Sequence, residues 1–123
     1  MLQTFDPRNR DLIVNVGGKL SSRDQARVSP FDSSVQGGDA VWEGMRLYQG
    51  KIFRLDQHLA RLESSAKAMA FTDIPSREAI VEEIQRTLEA NRMTDEVHIR
   101  LTLTRGVKVT SGMDPRLNQS GPT

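Results

Sequence analysis

Arg61 is an arginine with no carboxylate one helical turn away. It stands in the run His58-Leu59-Ala60-Arg61-Leu62, and its neighbours at three and four residues are Gln57, His58, Ser64 and Ser65. None carries a fixed negative charge. A guanidinium so placed can take an anion from elsewhere, and a phosphate suits its fork of donors. The competing reading is a solvated arginine on a helix face. His98 and Arg100 stand two apart on an alternating segment, so both point to one polar face and together can grip a carboxylate. A sheet face turned to water would look the same. Trp42, the lone tryptophan, is either a packing aromatic or part of a binding wall. Arg116 lies in the loop Met113-Asp114-Pro115-Arg116, where an exposed arginine is the plain alternative.

Other chemistries have less support. Asp24, Asp32 and Asp39 lack a partner at acid/base spacing. No serine stands in a nucleophile-elbow motif, and Gly37-Gly38 lacks the Lys-Ser/Thr ending of a phosphate loop. Two histidines, His58 and His98, are too few for a histidine-rich metal site, so no metal is expected. Glu43 falls on the strand face opposite Trp42 and is assigned no catalytic part.

Several elements must position these side chains. Leu12 to Val16 is β-rich, and Gly17-Gly18 suits a two-residue hairpin turn into Lys19-Leu20. Ser21 to Pro30 is mixed, although Ala26 to Val28 could pair with the sheet. Phe31 to Asp39 reads as loop. Ala40 to Tyr48 is a strand with Val41, Glu43, Met45 and Leu47 on one face and Trp42, Gly44, Arg46 and Tyr48 on the other. Gln49-Gly50 turns it into Lys51-Ile52-Phe53. Asp56 is the expected N-cap of a helix to about Ala70, with Leu59, Leu62, Ala66 and Met69 on its apolar face and Glu63 paired with Lys67. Ser76 caps a second helix with Ile80, Ile84 and Leu88 inward, stopping near Asn91. Glu96 to Thr104 alternates cleanly, with Val97, Ile99, Leu101 and Leu103 facing the helices. The tail beyond Gly106 loses periodicity. This order predicts an α+β fold, a mostly antiparallel sheet with two helices packed on one face.

Composition narrows the function. The 123 residues carry 17 Lys+Arg against 16 Asp+Glu, a formal net charge of +1. Bulk charge therefore does not point to nucleic acid. There is no cysteine, which excludes disulfide frameworks and thiolate metal sites. No signal-peptide core and no membrane-length apolar run is present. A soluble cytoplasmic protein is expected, without nucleic-acid or membrane partners.

The order of these pieces resembles a known family. Gly38-Asp39-Ala40-Val41-Trp42-Glu43-Gly44-Met45-Arg46, the turn at Gln49-Gly50 and the stretch Phe53 to Leu62 with its His-x-x-Arg-Leu resemble the small N-terminal domain of class IV aminotransferases. These are pyridoxal-phosphate enzymes of the branched-chain and D-amino-acid transaminase group. The resemblance covers roughly residues 11–118. It implies that Arg61 binds the cofactor phosphate and that Arg100 lies beside the substrate α-carboxylate. His98 replaces a tyrosine of the best-known members and would donate to an anion or line the pocket. Trp42 would wall the substrate side-chain pocket. Gly37 stands where branched-chain enzymes commonly carry a tyrosine, which argues against a simple branched-chain assignment. In D-amino-acid transaminases an arginine in the loop matching Arg116 reaches a substrate carboxylate across a dimer interface.

Aminotransferase chemistry needs a lysine that carries the cofactor. In the family that lysine lies in a C-terminal large domain. Lys19, Lys51, Lys67 and Lys108 do not match it. The expected organisation is a lead-in over 1–10 and a small N-terminal domain over 11–123, ending before its last strand and the lysine-bearing domain. The parent protein is expected to be a homodimeric transaminase acting on an amino acid and a 2-oxo acid, and this chain alone to be inactive. An exposed sheet edge and apolar patch should then drive association. Two alternatives share the scaffold: a lyase of the aminodeoxychorismate type, and a non-catalytic interaction domain.

Overall fold

The computed structural model describes residues 2–123. Gly17 and Gly18 both take positive φ, 60° and 88°, and the chain reverses there as a two-residue turn demands. Strand β1 (Ile13–Val16) pairs antiparallel with β2 (Lys19–Ser22). Ala26 to Val28, offered to the sheet by the sequence, form no strand. The run from Phe31 is more ordered than a loop. Asp32 accepts a hydrogen bond from Ser34 N and caps a short helix α1 (Ser33–Gly37), which Gly38 ends in a left-handed conformation. That cap-and-glycine signal was present in the sequence, but five residues are too few for a helical period.

Strand β3 (Ala40–Tyr48) lies between β4 (Lys51–Ile52) and β5 (Val97–Thr104), both antiparallel to it. The long β3–β5 ladder runs from Ala40 opposite Thr104 to Leu47 opposite Val97. β4 meets only Leu47 and Tyr48, so the earlier part of β3 has a strand neighbour on one side alone. Val41, Glu43, Met45 and Leu47 are buried and Trp42, Arg46 and Tyr48 exposed, as period-two alternation requires.

Helix α2 (Leu55–Ala68) crosses the buried face of β3. Leu59, Leu62 and Ala66 are buried, whereas Met69 is exposed beyond the helix end. The cap is not Asp56. Arg54 occupies that position at φ 53° with no side-chain cap bond, and Asp56 sits in the first turn, where its charge favours the helix dipole. Helix α3 (Arg77–Ala90) is capped by Ser76, whose hydroxyl accepts from Ala79 N. Val41, Leu62, Ala66, Phe71 and Leu103 form the core, with Ile74, Ile80 and Leu101 against it.

The fold is α+β with antiparallel pairing throughout, as expected. Its strands form two separate sheets, β1–β2 and β4–β3–β5. The smaller one is tied to α3 through polar side chains. The Asn91 amide both accepts from Ile13 N at 2.8 Å and donates to Ile13 O at 2.9 Å, and Asn15 donates to Glu83 at 2.7 Å. The tail is held by isolated bridges, Asp32 to Val107 and Lys108 to Asn118. Its only helical turn is Pro115–Leu117.

Candidate active site

Glu43 decides the geometry around Arg61. Strand alternation sends its side chain under α2, where it is buried among apolar residues. A carboxylate in that position needs partners. Arg61 Nε donates to its two oxygens at 3.0 and 2.9 Å, and Arg61 Nη2 donates to Oε1 at 2.7 Å. His58 Nδ1 lies 2.7 Å from the same Oε1. His58 and Arg61 are three apart on α2, so one helix face presents both to one carboxylate.

Glu43 therefore corrects the expectation that Arg61 lacks a counter-ion. The helix supplies none, but the strand does. The pair is lopsided: the Glu43 side chain is 5% exposed and that of Arg61 68%. The Arg61 hydrogen bonds are the main reason the Glu43 carboxyl titrates below its ordinary value, outweighing burial, with His58 adding to the effect. The Arg61 guanidinium is correspondingly held more firmly protonated. Glu43 takes the Nε and one Nη2 direction. Among the described residues Nη1 has no partner. Arg61 is thus an oriented cation with donors left over for a second anion.

The opposite face of the sheet gathers a second group. Trp42 is 54% exposed, so it is not a core aromatic. Arg100 Cζ lies 3.7 Å from the Trp42 ring centroid. In the ladder Trp42 faces Thr102, Gly44 faces Arg100 and Arg46 faces His98. Gly44 makes room: a Cβ there would come 3.1 Å from His98 Cε1 and 3.7 Å from the Trp42 ring. No Asp or Glu occupies an outward position of β3 or β5, and among the described residues Arg100 has no carboxylate partner. An anion-accepting surface results.

The structure puts His98 and Arg100 on one face, as their two-residue spacing predicts; Trp42 joins them there through the cross-strand register, and Arg61 lies with Glu43 and His58 against the other side of β3. Arg116 joins neither group. It sits in the Pro115–Leu117 turn, 89% exposed, with its guanidinium on Asp114. Those hydrogen bonds bring the Asp114 pKa down to about 2. The four lysines are also placed: Lys19 starts β2, Lys51 starts β4, Lys67 pairs with Glu63 on α2, and buried Lys108 donates to Gly112 O. At Gly37 a Cβ would meet only the end of the exposed Met113 side chain, which can move aside. Glu43 is the buried partner of Arg61 and His58 to which the sequence assigned no part. Its signal was an acid on an otherwise apolar strand face.

Donor groups suit a pyridoxal phosphate only at its phosphate end, through the free edge of Arg61. Against known proteins, the profile of the amino-transferase class IV family matches residues 40–119. Branched-chain-amino-acid aminotransferase-like protein 2 of Arabidopsis thaliana is 57% identical over 117 residues, 95% of this chain and 21% of the relative. A putative branched-chain-amino-acid aminotransferase of Methanocaldococcus jannaschii is 40% identical over 104 residues, 84% of this chain and 35% of the relative. The solved branched-chain aminotransferase of Thermoproteus uzoniensis with norvaline superimposes with a TM-score of 0.71 at 27% identity, over 85% of this chain and 36% of that one. The chain thus spans between about a fifth and about a third of the length of these relatives.

Proposed function

This chain belongs to the class IV aminotransferases, and from that premise we propose that it serves as the small N-terminal domain of a pyridoxal-phosphate enzyme moving an amino group between an amino acid and a 2-oxo acid. The observation that carries the reading is the oriented, half-satisfied Arg61. Glu43 fixes its Nε edge and leaves the Nη1 side to a phosphate. Bound pyridoxal phosphate would supply the electron sink that labilises the substrate α-proton. Arg61 would hold its phosphate by charge-assisted hydrogen bonds. Arg100 would hold the substrate carboxylate in the plane of its fork, with His98 beside it. Trp42 would border the same space. The two groups lie on opposite faces of β3, so the bound cofactor and substrate would have to span the strand between them. Arg116, on its exposed turn, would reach a substrate only across a subunit contact.

The chemistry also needs a cofactor-bearing lysine from another segment, and none of the four lysines here takes that role. We infer a soluble, cytoplasmic homodimer in which this domain is catalytically silent until joined to a lysine-bearing domain.

The test is co-expression with the lysine-bearing C-terminal domain of a class IV aminotransferase. Cofactor affinity is followed by visible absorbance and turnover with an amino acid and a 2-oxo acid. Arg61→Ala should weaken pyridoxal phosphate binding about 10- to 100-fold, as loss of a charge-assisted contact implies. Unchanged affinity would remove the phosphate role. Release of pyruvate without amino-group exchange would assign the scaffold to the lyase chemistry instead.

A further inference from the structure

On the outer face of β3 and β5 the indole is oddly placed for a pocket wall. One of its faces already carries the Arg100 guanidinium, at 3.7 Å from the centroid. The register explains the contact. Trp42 and Thr102 are opposite, so Arg100 lies one rung along on the diagonal, over Gly44. Diagonal neighbours on a sheet face are within reach of a long side chain. With no side chain at position 44 to intervene, the guanidinium can settle flat on the ring.

Stacking and hydrogen bonding draw on different directions of a guanidinium. Its π face goes to the indole, while its N–H donors stay in the plane and remain free for a planar, two-oxygen acceptor. Charge on this face points the same way. The two arginines Arg46 and Arg100 share it with the exposed rings of Trp42 and Tyr48, and Arg46 Cζ lies 5.7 Å from the Tyr48 ring. Cationic groups on adjoining cross-strand positions repel one another unless an anion joins them.

We propose that Trp42 is a positioning residue for Arg100. It holds the guanidinium flat on the sheet so that the donor edge is ready for a carboxylate arriving on this face, and it acts through Arg100 instead of through apolar contact with a substrate side chain. The proposal rests on the reading of Arg100 as the carboxylate contact in the function given above.

Trp42 is the only tryptophan in the chain, so emission reports this one ring. The 123-residue chain and its Trp42→Phe, Trp42→Leu and Arg100→Gln variants are titrated with glutarate against sodium chloride at equal ionic strength. Binding is read from the amide resonances of β5 in every variant and from fluorescence where the indole is present. Ligand-free Arg100→Gln should change the emission spectrum, because the stacked cation is gone. The wild-type chain should bind saturably with a change in emission, and Arg100→Gln should not. Trp42→Leu should bind roughly fivefold more weakly, the loss that an exposed cation–π contact supports. Trp42→Phe should recover most of it.

Full-strength binding by Trp42→Leu, with binding lost in Arg100→Gln, overturns the positioning role and leaves the carboxylate reading standing. Undiminished binding by Arg100→Gln, or no saturable binding by the wild-type chain, overturns both. An unchanged ligand-free spectrum in Arg100→Gln removes the stack itself.

Discussion

A carboxylate as enclosed as Glu43 keeps its charge because four short contacts from Arg61 and His58 meet it. Removing the charge should therefore be costly. Glu43→Gln should lower unfolding free energy by about 2–3 kcal/mol, somewhat less than the loss of one partner from a fully buried pair, since Arg61 can turn to water. Acid pH should show the same dependence. The folded-state pKa of Glu43 is lowered from 4.5, so its contribution is complete above that value and drains away as pH falls through the folded one. Denaturant midpoints measured from neutral pH downward should decline less steeply in Glu43→Gln. An identical decline would mean the carboxylate is not the linked group. Asp6, Glu63 and Asp114 are depressed as well, but their partners sit in open solvent and should add little. His58 and Arg61 were legible in sequence because helical spacing is local. Their partner lies 15 and 18 positions earlier on another element. Only the rule that a buried acid must be paired pointed to it, and that rule names no particular cation.

Turns and helix ends carry the next level. Both long helices stop in the same way. After α2, Ala70 N donates to Lys67 O and Phe71 N to Ala66 O; after α3, Arg92 N donates to Glu89 O and Met93 N to Leu88 O. This paired pattern calls for a left-handed residue, usually glycine. Here Ala70 takes it at φ 57° and Arg92 at φ 54°. Ala70→Gly should raise stability by about 0.5–1 kcal/mol by removing the Cβ strain; a lower melting temperature would count against that ending. The opposite change is expected after β5. Gly106 sits at φ 113°, and a Cβ there would collide with Gly121 O. Gly106→Ala should cost about 2 kcal/mol or more, and an unaltered thermal midpoint would show that the tail is not packed there. Strands β3 and β5 were readable residue by residue because strict alternation reports one buried face. Helix α1 was not, because a single capped turn leaves no period. The start of α2 was misread because Asp56 is a common capping residue, while a left-handed arginine has no sequence signature.

At the level of the whole molecule, the 4–3–5 sheet has an open side along β5. Thr104 exchanges both backbone bonds with Thr123, so its N–H and C=O point away from β3. Alternation then turns His98, Arg100 and Thr102 outward and Ile99, Leu101 and Leu103 toward β3. Hydrogen exchange should follow suit: slow amides at Ile99, Leu101 and Leu103, fast ones at His98, Arg100 and Thr102. Equal protection along β5 would mean that another strand covers the edge in solution, and the protection should then fall on dilution. Composition and pattern fixed the α+β class, but not the division into two sheets. That division depends on which strand pairs with which, information the local pattern lacks. It has a mechanical result. The two sheets face each other across a cleft of about 2000 Å3 bounded by β1, α3, β5 and residues 2–9. No ladder rung crosses it, so the β1–β2 hairpin is seated by side chains: Asn15, Arg86 and Asn91 tie it to α3. Its placement against the larger sheet thus passes through a helix and not through shared backbone pairing.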